Sequence, residues 1–417
     1  SRGLGDVYKR QVFTSFENGD DKLGIKKHNA AIKYIGVFLL TAVVLLTNFY
    51  AVNAEDTGTV GTSAQAAAVI EQNSGRVLYN KNADQELPMA STTKIMTAAV
   101  ALKYGNLSDV IEVSATAAGV EGSSMYLECG EKITLENLLY GLMLLSGNDA
   151  AVAIAEHIGG GVDGFVELMN KTASELGLSH THFDNPNGLP SDTHYTTALE
   201  LAKITRYAMS MPEFVQIVST KSKTIPWEGK GYDRSMTNHN KLLGSLEGCI
   251  GVKTGFTKAA GRCLVSAVNR NDMTLICVTL NDPNDWADHA SLQNSMFQKY
   301  SQNVLTSTEM IIDKISVAGG MLGYAGVSPN KTYTFPVCEN DSVSVDTNVD
   351  SENMKFPIKS GDVVGTGTVT VNGENYGNFE LLANSDIDLA RPSKGSFWND
   401  MKNDIVYVFQ YWLSMFR

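Results

Sequence analysis

Cysteine is scarce in this chain of 417 residues: only Cys129, Cys249, Cys263, Cys277 and Cys338 occur, and no two of them form a Cys-x-x-Cys. So few and so scattered a set excludes a disulfide framework. One pair stays open as a bridge outside the cell, and the odd count leaves at least one thiol free. Positive charge is also in deficit. The net charge is −12, and beyond residue 54 the chain carries 26 basic against 41 acidic side chains. That balance argues against nucleic acid as a partner and offers no general attraction to anionic membrane surfaces. No repeat period or low-complexity tract is visible. A phosphate loop is missing too, because Gly159-Gly160-Gly161 has no lysine after it and no strand before it.

Long apolar runs are absent. The mainly apolar run Ile35 to Leu46 is twelve residues, short of the roughly 20 that span a bilayer. It follows the basic Lys26, Lys27 and Lys33 and precedes the small residues Val52-Asn53-Ala54. This is the pattern of a secretory signal peptide, with the mature chain starting near Glu55. Ser1 to Gln11 do not blend with the residues after them and are set aside as extraneous. The sequence therefore predicts export. It divides into an extraneous start and leader over 1–54, a polar linker over 55–65, a catalytic domain over 66–301, a β-rich domain over 302–392 and a terminal helix over 393–417.

What is present begins with Ala66 to Glu71 and Arg76 to Asn80 flanking Asn73-Ser74-Gly75, a hairpin signature. It leads to Ser91-Thr92-Thr93-Lys94, a polar Ser-x-x-Lys in a small, apolar run. Pro88 before it and Gly105 after it predict one helix over 91–104 with Ser91 at its N-terminus. Residues three apart share a helix face, so Lys94 is placed to take the proton of Ser91 if the amine is neutral. Taken alone, this motif also fits a capping serine followed by a solvated lysine.

Thr134 predicts the cap of a helix through Leu145, and Ala150 to Ile158 a second helix. Ser146-Gly147-Asn148 forms the turn between them, aiming a hydroxyl and an amide into a cleft. Ile250 to Gly255, Cys263 to Val268 and Thr274 to Leu280 read as an antiparallel meander beside the first hairpin. Strand alternation sets Lys253 and Gly255 on one face and Thr254 on the other unless the strand is bulged. Gly255 lets a substrate backbone lie against this edge.

Ser-x-x-Lys, Ser-x-Asn 55 residues later and Lys-Thr-Gly a further 107 residues on form the ordered set of penicillin-binding proteins and serine β-lactamases. Within that superfamily the chain most closely resembles the low-molecular-mass D-alanyl-D-alanine carboxypeptidases. Further matching segments are Gly122-Ser123-Ser124, Asn185-Pro186-Asn187-Gly188-Leu189, His194-Tyr195-Thr196-Thr197-Ala198 and Asn238-His239-Asn240-Lys241-Leu242-Leu243.

The resemblance implies an α/β (α+β) fold, in which a transpeptidase or β-lactamase-like domain carries a five-stranded antiparallel sheet flanked by helices. A small C-terminal β domain completes it. It implies Ser91 as the acyl-enzyme serine, Lys94 as general base and Ser146 as proton relay. Asn148, Lys253, Thr254, Gly255 and Phe256 are the implied substrate-binding residues, with the Ser91 and Phe256 N–H groups as oxyanion hole and Arg262 as a candidate second cation for the substrate carboxylate. The implied substrate is a peptidoglycan stem pentapeptide ending in D-Ala-D-Ala, with β-lactams as covalent inhibitors and no cofactor or metal. His180-x-His182 has no third ligand at suitable spacing and reads as loop hydrogen bonding.

The alternatives are a β-lactamase or a muropeptide or penicillin sensor without turnover. Glu167 has the wrong spacing for the deacylating glutamate of class A β-lactamases, so slow reversal of penicillin acylation is expected. From Trp398 to Phe416, apolar residues recur at three-four spacing, which predicts an amphipathic helix lying on the outer leaflet of the membrane.

Overall fold

The computed structural model describes residues 60–316, 324–350 and 357–387. The expected leader over 1–54 and the expected anchor helix over 393–417 lie outside the described residues.

Strand β1, Ala66–Glu71, pairs antiparallel with β2, Val77–Lys81. The Asn73-Ser74-Gly75 turn is closed by the Glu71 carboxylate, which accepts hydrogen bonds from the Asn73 and Ser74 backbone N–H groups at 2.9 and 2.7 Å, while Gly75 takes a left-handed φ of 74°. Two small pairs come next: β3, Val110–Glu112, with β4, Lys132–Thr134, and β5, Ser222–Ile225, with β6, Arg234–Thr237. The meander is β7, Cys249–Thr257, β8, Gly261–Arg270, and β9, Met273–Leu280. It joins the first hairpin in a five-stranded antiparallel sheet of order β2-β1-β9-β8-β7. Strand β7 is thus an edge.

A 3-10 turn, Ala90–Thr93, runs into helix α1, Lys94–Tyr104. The expected single helix over 91–104 is corrected here, since Ser91 sits in the tighter turn and the α-helix starts at Lys94. Helix α1 is buried from Lys94 through Ala101, as a helix apolar nearly all round must be. Helix α2, Leu135–Leu144, is capped by the Thr134 side chain, which accepts from the Asn137 N–H. Helix α3, Asn148–Gly159, ends at Gly160 with φ 67°. Asn148 is therefore the first residue of a helix, and not part of the expected turn.

Helices α4, Val162–Glu175, α5, Ala198–Met209, and α6, Pro212–Ser219, complete that layer. Along β1, Ala66, Ala68 and Ile70 face it. Val69 faces the opposite layer with Leu292 and Met296 of helix α7, Asp285–Lys299. The sheet is covered on both faces, and the cleft lies where β7, the 3-10 turn and the α2–α3 junction meet.

Beyond Tyr300, β10, Ser301–Thr306, pairs with β13, Tyr333–Val337. A second five-stranded sheet has order β11-β12-β16-β15-β14. Its members are β11, Asp313–Ser316, β12, Tyr324–Pro329, β14, Val343–Val349, β15, Val363–Val371, and β16, Glu374–Ala383. Val327, Val369, Phe379 and Leu381 fill its own small core. The two parts are joined at Arg76, whose guanidinium meets both oxygens of Asp341 at 2.6 and 2.7 Å and the Pro336 carbonyl at 2.6 Å.

Candidate active site

Three remote segments converge on Ser91. The Lys94 Nζ lies 3.0 Å from Ser91 Oγ and 2.8 Å from Asn148 Oδ1, and it donates a third, short hydrogen bond to the Asn187 carbonyl. Asn148 Oδ1 and the Asn187 carbonyl are acceptors only. A neutral amine must give both its hydrogens to them, which leaves its lone pair directed at the Ser91 hydroxyl. Lys94 is fully buried, and among the described residues no carboxylate forms an ion pair with it. Burial first, and the Lys253 charge second, hold its pKa well below the ordinary lysine value. Asp149, whose carboxylate accepts from the Met125 and Leu127 N–H groups and the Ser124 hydroxyl, opposes this as the smallest of the three influences.

Lys253 is 1% exposed and donates to the Thr254 carbonyl at 2.9 Å. Burial pulls its pKa down to about 7. Ser146 adopts a left-handed φ of 61°, and its buried hydroxyl has no hydrogen-bond partner among the described residues. A cleft of about 430 Å³ is lined by Ser91, Ser146, Thr254, Gly255 and Phe256, with Arg262 at its rim. Gly255 packs so close that a Cβ there would stand 3.1 Å from the Ser91 and Thr92 nitrogens. A side chain at 255 would push the strand off the nucleophile turn. The Arg262 guanidinium is held by Asp285 at 2.9 Å and is 42% exposed.

A sequence pattern described as D-alanyl-D-alanine carboxypeptidase matches residues 52–284, and one described as penicillin-binding protein 5, C-terminal domain, matches residues 300–389. The chain belongs to the D-alanyl-D-alanine carboxypeptidase family. This carboxypeptidase is 30% identical over 366 residues to D-alanyl-D-alanine carboxypeptidase DacF of Bacillus subtilis, covering 85% of this chain and 93% of the relative. It is 30% identical to DacA of Haemophilus influenzae over 84% of this chain and 93% of that one. Among solved structures it is similar to penicillin binding protein 5 from Haemophilus influenzae, with TM-score 0.64 and 28% identity over 79% of this chain and 98% of that chain. The Streptomyces K15 DD-transpeptidase matches at TM-score 0.54 and 35% identity over 57% of this chain and 98% of that one.

In the carboxypeptidase, Ser91, Ser146, Thr254, Gly255 and Phe256 line one cleft, Lys94 is buried beneath it between Ser91 and Asn148, and Lys253 is buried next to Thr254 on the strand. Asn148 is among the expected substrate-binding residues. In this structure its oxygen accepts from Lys94, and its nitrogen donates to the Glu121 carbonyl at 2.7 Å.

Sequence reasoning missed the Asn187 carbonyl and a buried chain behind the nucleophile. The Asp184 N–H donates to His194 Nδ1 at 3.0 Å, so the His194 proton is on Nε2 and is donated to Thr93 Oγ1 at 2.8 Å, which in turn donates to the Ala90 carbonyl. Burial lowers the His194 pKa to about 4, which keeps this tautomer neutral. The only signal was that both residues lie in segments that resemble the family. His180 bonds Glu86 and His182 bonds the Thr193 carbonyl, each at 2.9 Å. All five cysteines are free.

Proposed function

We propose that this serine carboxypeptidase removes the terminal D-alanine from peptidoglycan pentapeptide stems through an ester on Ser91. The observation that carries the reading is the hydrogen-bond geometry of Lys94, two acceptors and one hydroxyl around a dry amine. Lys94 takes the Ser91 proton as Oγ attacks the penultimate D-Ala carbonyl. The N–H groups of Ser91 and Phe256 stabilise the oxyanion. Ser146, with its unpartnered hydroxyl, passes the proton to the departing D-Ala nitrogen. Lys253 and Thr254 hold the terminal carboxylate, with Arg262 beside them, and the substrate backbone adds to the free edge of β7. Water attacking the ester, again under Lys94, regenerates Ser91.

β-Lactams acylate the same oxygen. Glu167 is exposed on α4, outside the residues that line the cleft, and this supports slow deacylation in place of β-lactamase turnover. Export under the 1–54 leader, action on the outer face of the cytoplasmic membrane and anchoring by the 393–417 helix are part of the same proposal. Among the described residues no helix is long and apolar enough to cross a membrane.

D-Ala release from diacetyl-Lys-D-Ala-D-Ala, with Ser91→Ala as control, tests the reaction. Release by the parent and none by the variant is expected, whereas equal release by both sinks the assignment of Ser91. Sedimentation with membranes, with and without residues 397–417, tests the anchor.

A further inference from the structure

A cavity of about 350 Å³ lies where the turn after β1 and helix α5 of the catalytic part meet β13, β15 and β16 of the β domain. Asn73 and Arg206 line it from the catalytic side, and Tyr333, Thr334, Val369 and Tyr376 from the other. It shares no lining residue with the cleft around Ser91. Concave junctions walled by aromatic rings, with a few polar groups among them, are where small ligands settle. The rings here are held in place: the Tyr333 hydroxyl donates to the Asn378 carbonyl at 2.6 Å, and the Tyr376 ring centre stands 4.5 Å from that of Phe335.

Among the described residues that line the cavity, Arg206 alone is charged, in a chain whose net charge is −12. Its guanidinium carries five N–H groups. The Nε–H goes to the Gln72 carbonyl at 2.7 Å and one Nη2–H to the Asn73 carbonyl at 2.6 Å. The other three, on Nη1 and Nη2, have no acceptor among the described residues, and they suffice to grip a carboxylate through two bonds. Glu71, beneath the same turn, is fully buried, and its oxygens are taken by the Asn73 and Ser74 N–H groups and the Ser74 hydroxyl. It leaves the Arg206 charge unpaired.

Strand β13 supplies a second kind of contact. It has β10 on one side and no strand on the other among the described residues. The Tyr333 N–H points to β10, where it donates to Thr306 Oγ1 at 3.2 Å, and the Pro336 carbonyl points away, to Arg76. Alternation along the strand therefore turns the Thr334 N–H and carbonyl to the open side, the side on which Arg76 and the turn before it stand.

We infer that this cavity binds an N-acylated amino acid or the carboxyl terminus of a short peptide. The carboxylate sits on Arg206, the last amide on the Thr334 backbone, and an apolar terminal side chain against Val369 and the Tyr333 and Tyr376 rings. Such a ligand touches both parts of the molecule and ties the β domain to the catalytic sheet.

The full chain is titrated at pH 7 with N-acetyl-D-phenylalanine, N-acetyl-L-phenylalanine, their amides and inorganic phosphate, and binding is followed by NMR line broadening of each ligand. At least one of the two acids should bind with a Kd on the order of 1 mM, as befits so small a ligand. Its amide should bind about ten- to hundredfold more weakly, the range of a hydrogen bond to a charged group. Arg206→Gln should weaken the acid by the same factor. Tyr376→Ala leaves the guanidinium and its turn intact, and should weaken the acid about three- to tenfold. Lys253→Met should bind it as the parent does, which separates this site from the cleft. If Arg206→Gln does not fold, the acid-against-amide and Tyr376→Ala comparisons decide. The site is overturned if neither acid binds, if the amide or phosphate binds as well as the acid, if binding survives Arg206→Gln or ignores Tyr376→Ala, or if folded Lys253→Met loses it.

Discussion

Gly188 stands against Ala90 so closely that a Cβ at 188 would come within 1.9 Å of the Ala90 carbonyl oxygen and 2.9 Å of the Ser91 nitrogen. Its φ of +87° is also a conformation that side-chain-bearing residues rarely adopt. The residue after Asn187 thus seats the nucleophile turn while its neighbour binds Lys94. Gly188→Ala should destabilise the fold by roughly 1–3 kcal/mol from backbone strain. It should also slow penicillin acylation of the surviving folded protein, checked by denaturant melts and stopped-flow acylation. Unchanged acylation would mean that the contact does not set the turn.

The two buried amines have opposite requirements. Lys94 must be neutral to act as base, so kcat/KM falls as pH drops through its depressed pKa. Lys253 must be charged to hold a carboxylate, so substrate capture by the free enzyme weakens as pH rises past about 7. A bell-shaped profile is expected. A donor with an amidated C-terminus should lose the alkaline limb and keep the acid one.

The same depression makes a stability prediction. The unfolded chain binds more protons than the folded one between the folded value of about 7 for Lys253 and the ordinary 10.5. Folding stability should therefore rise with pH across that window. Lys253→Met should flatten the rise in melts taken from pH 7 to 10, and an unaltered slope would contradict the burial argument.

Asn148 is expected to act through Lys94. Asn148→Ala frees one amine hydrogen and lets the side chain wander, and a displacement of about 1 Å costs on the order of 10²-fold in rate. Asn148→Asp places a carboxylate at 2.8 Å from Nζ and should keep Lys94 protonated. The acid limb then moves to higher pH. A fall in kcat without that shift would leave only the hydrogen bond in play.

Arg76 and Asp341 join the two parts of the molecule through a nearly enclosed pair, 10% and 5% exposed. Removing one partner strands the other charge, so Arg76→Ala should cost about 3–5 kcal/mol. The Arg76 guanidinium holds the Asp341 pKa well below the carboxylate range. Its contribution is thus complete above the unfolded carboxylate value and fades as acid protonates the folded group. Calorimetry across pH 2 to 6 should show this loss in the parent and not in Asp341→Asn.

Much of this arrangement was legible in the chain. The turn at Asn73-Ser74-Gly75, the Thr134 cap and the three strands of the meander were read because local chemistry decides them. Ser91, Lys94, Ser146 and Lys253 were picked out by residue type and order. The details that needed tertiary information were missed. Ser91 lies in a 3-10 turn because Gly188 and Thr93 hold it from behind, and Asn148 starts a helix because the Ser123 carbonyl takes its N–H at 2.7 Å. A backbone carbonyl such as that of Asn187 has no signature in sequence at all, although here it decides which way an amine points.

Strand β7 leaves one margin of the catalytic sheet without a neighbouring strand among the described residues. An open margin invites any extended chain, including that of a second molecule. Occupation by a stem peptide or a penicillin should then also keep concentrated protein monodisperse, so an inhibitor would act as a solubiliser, an effect that light scattering on the acylated and free forms can register.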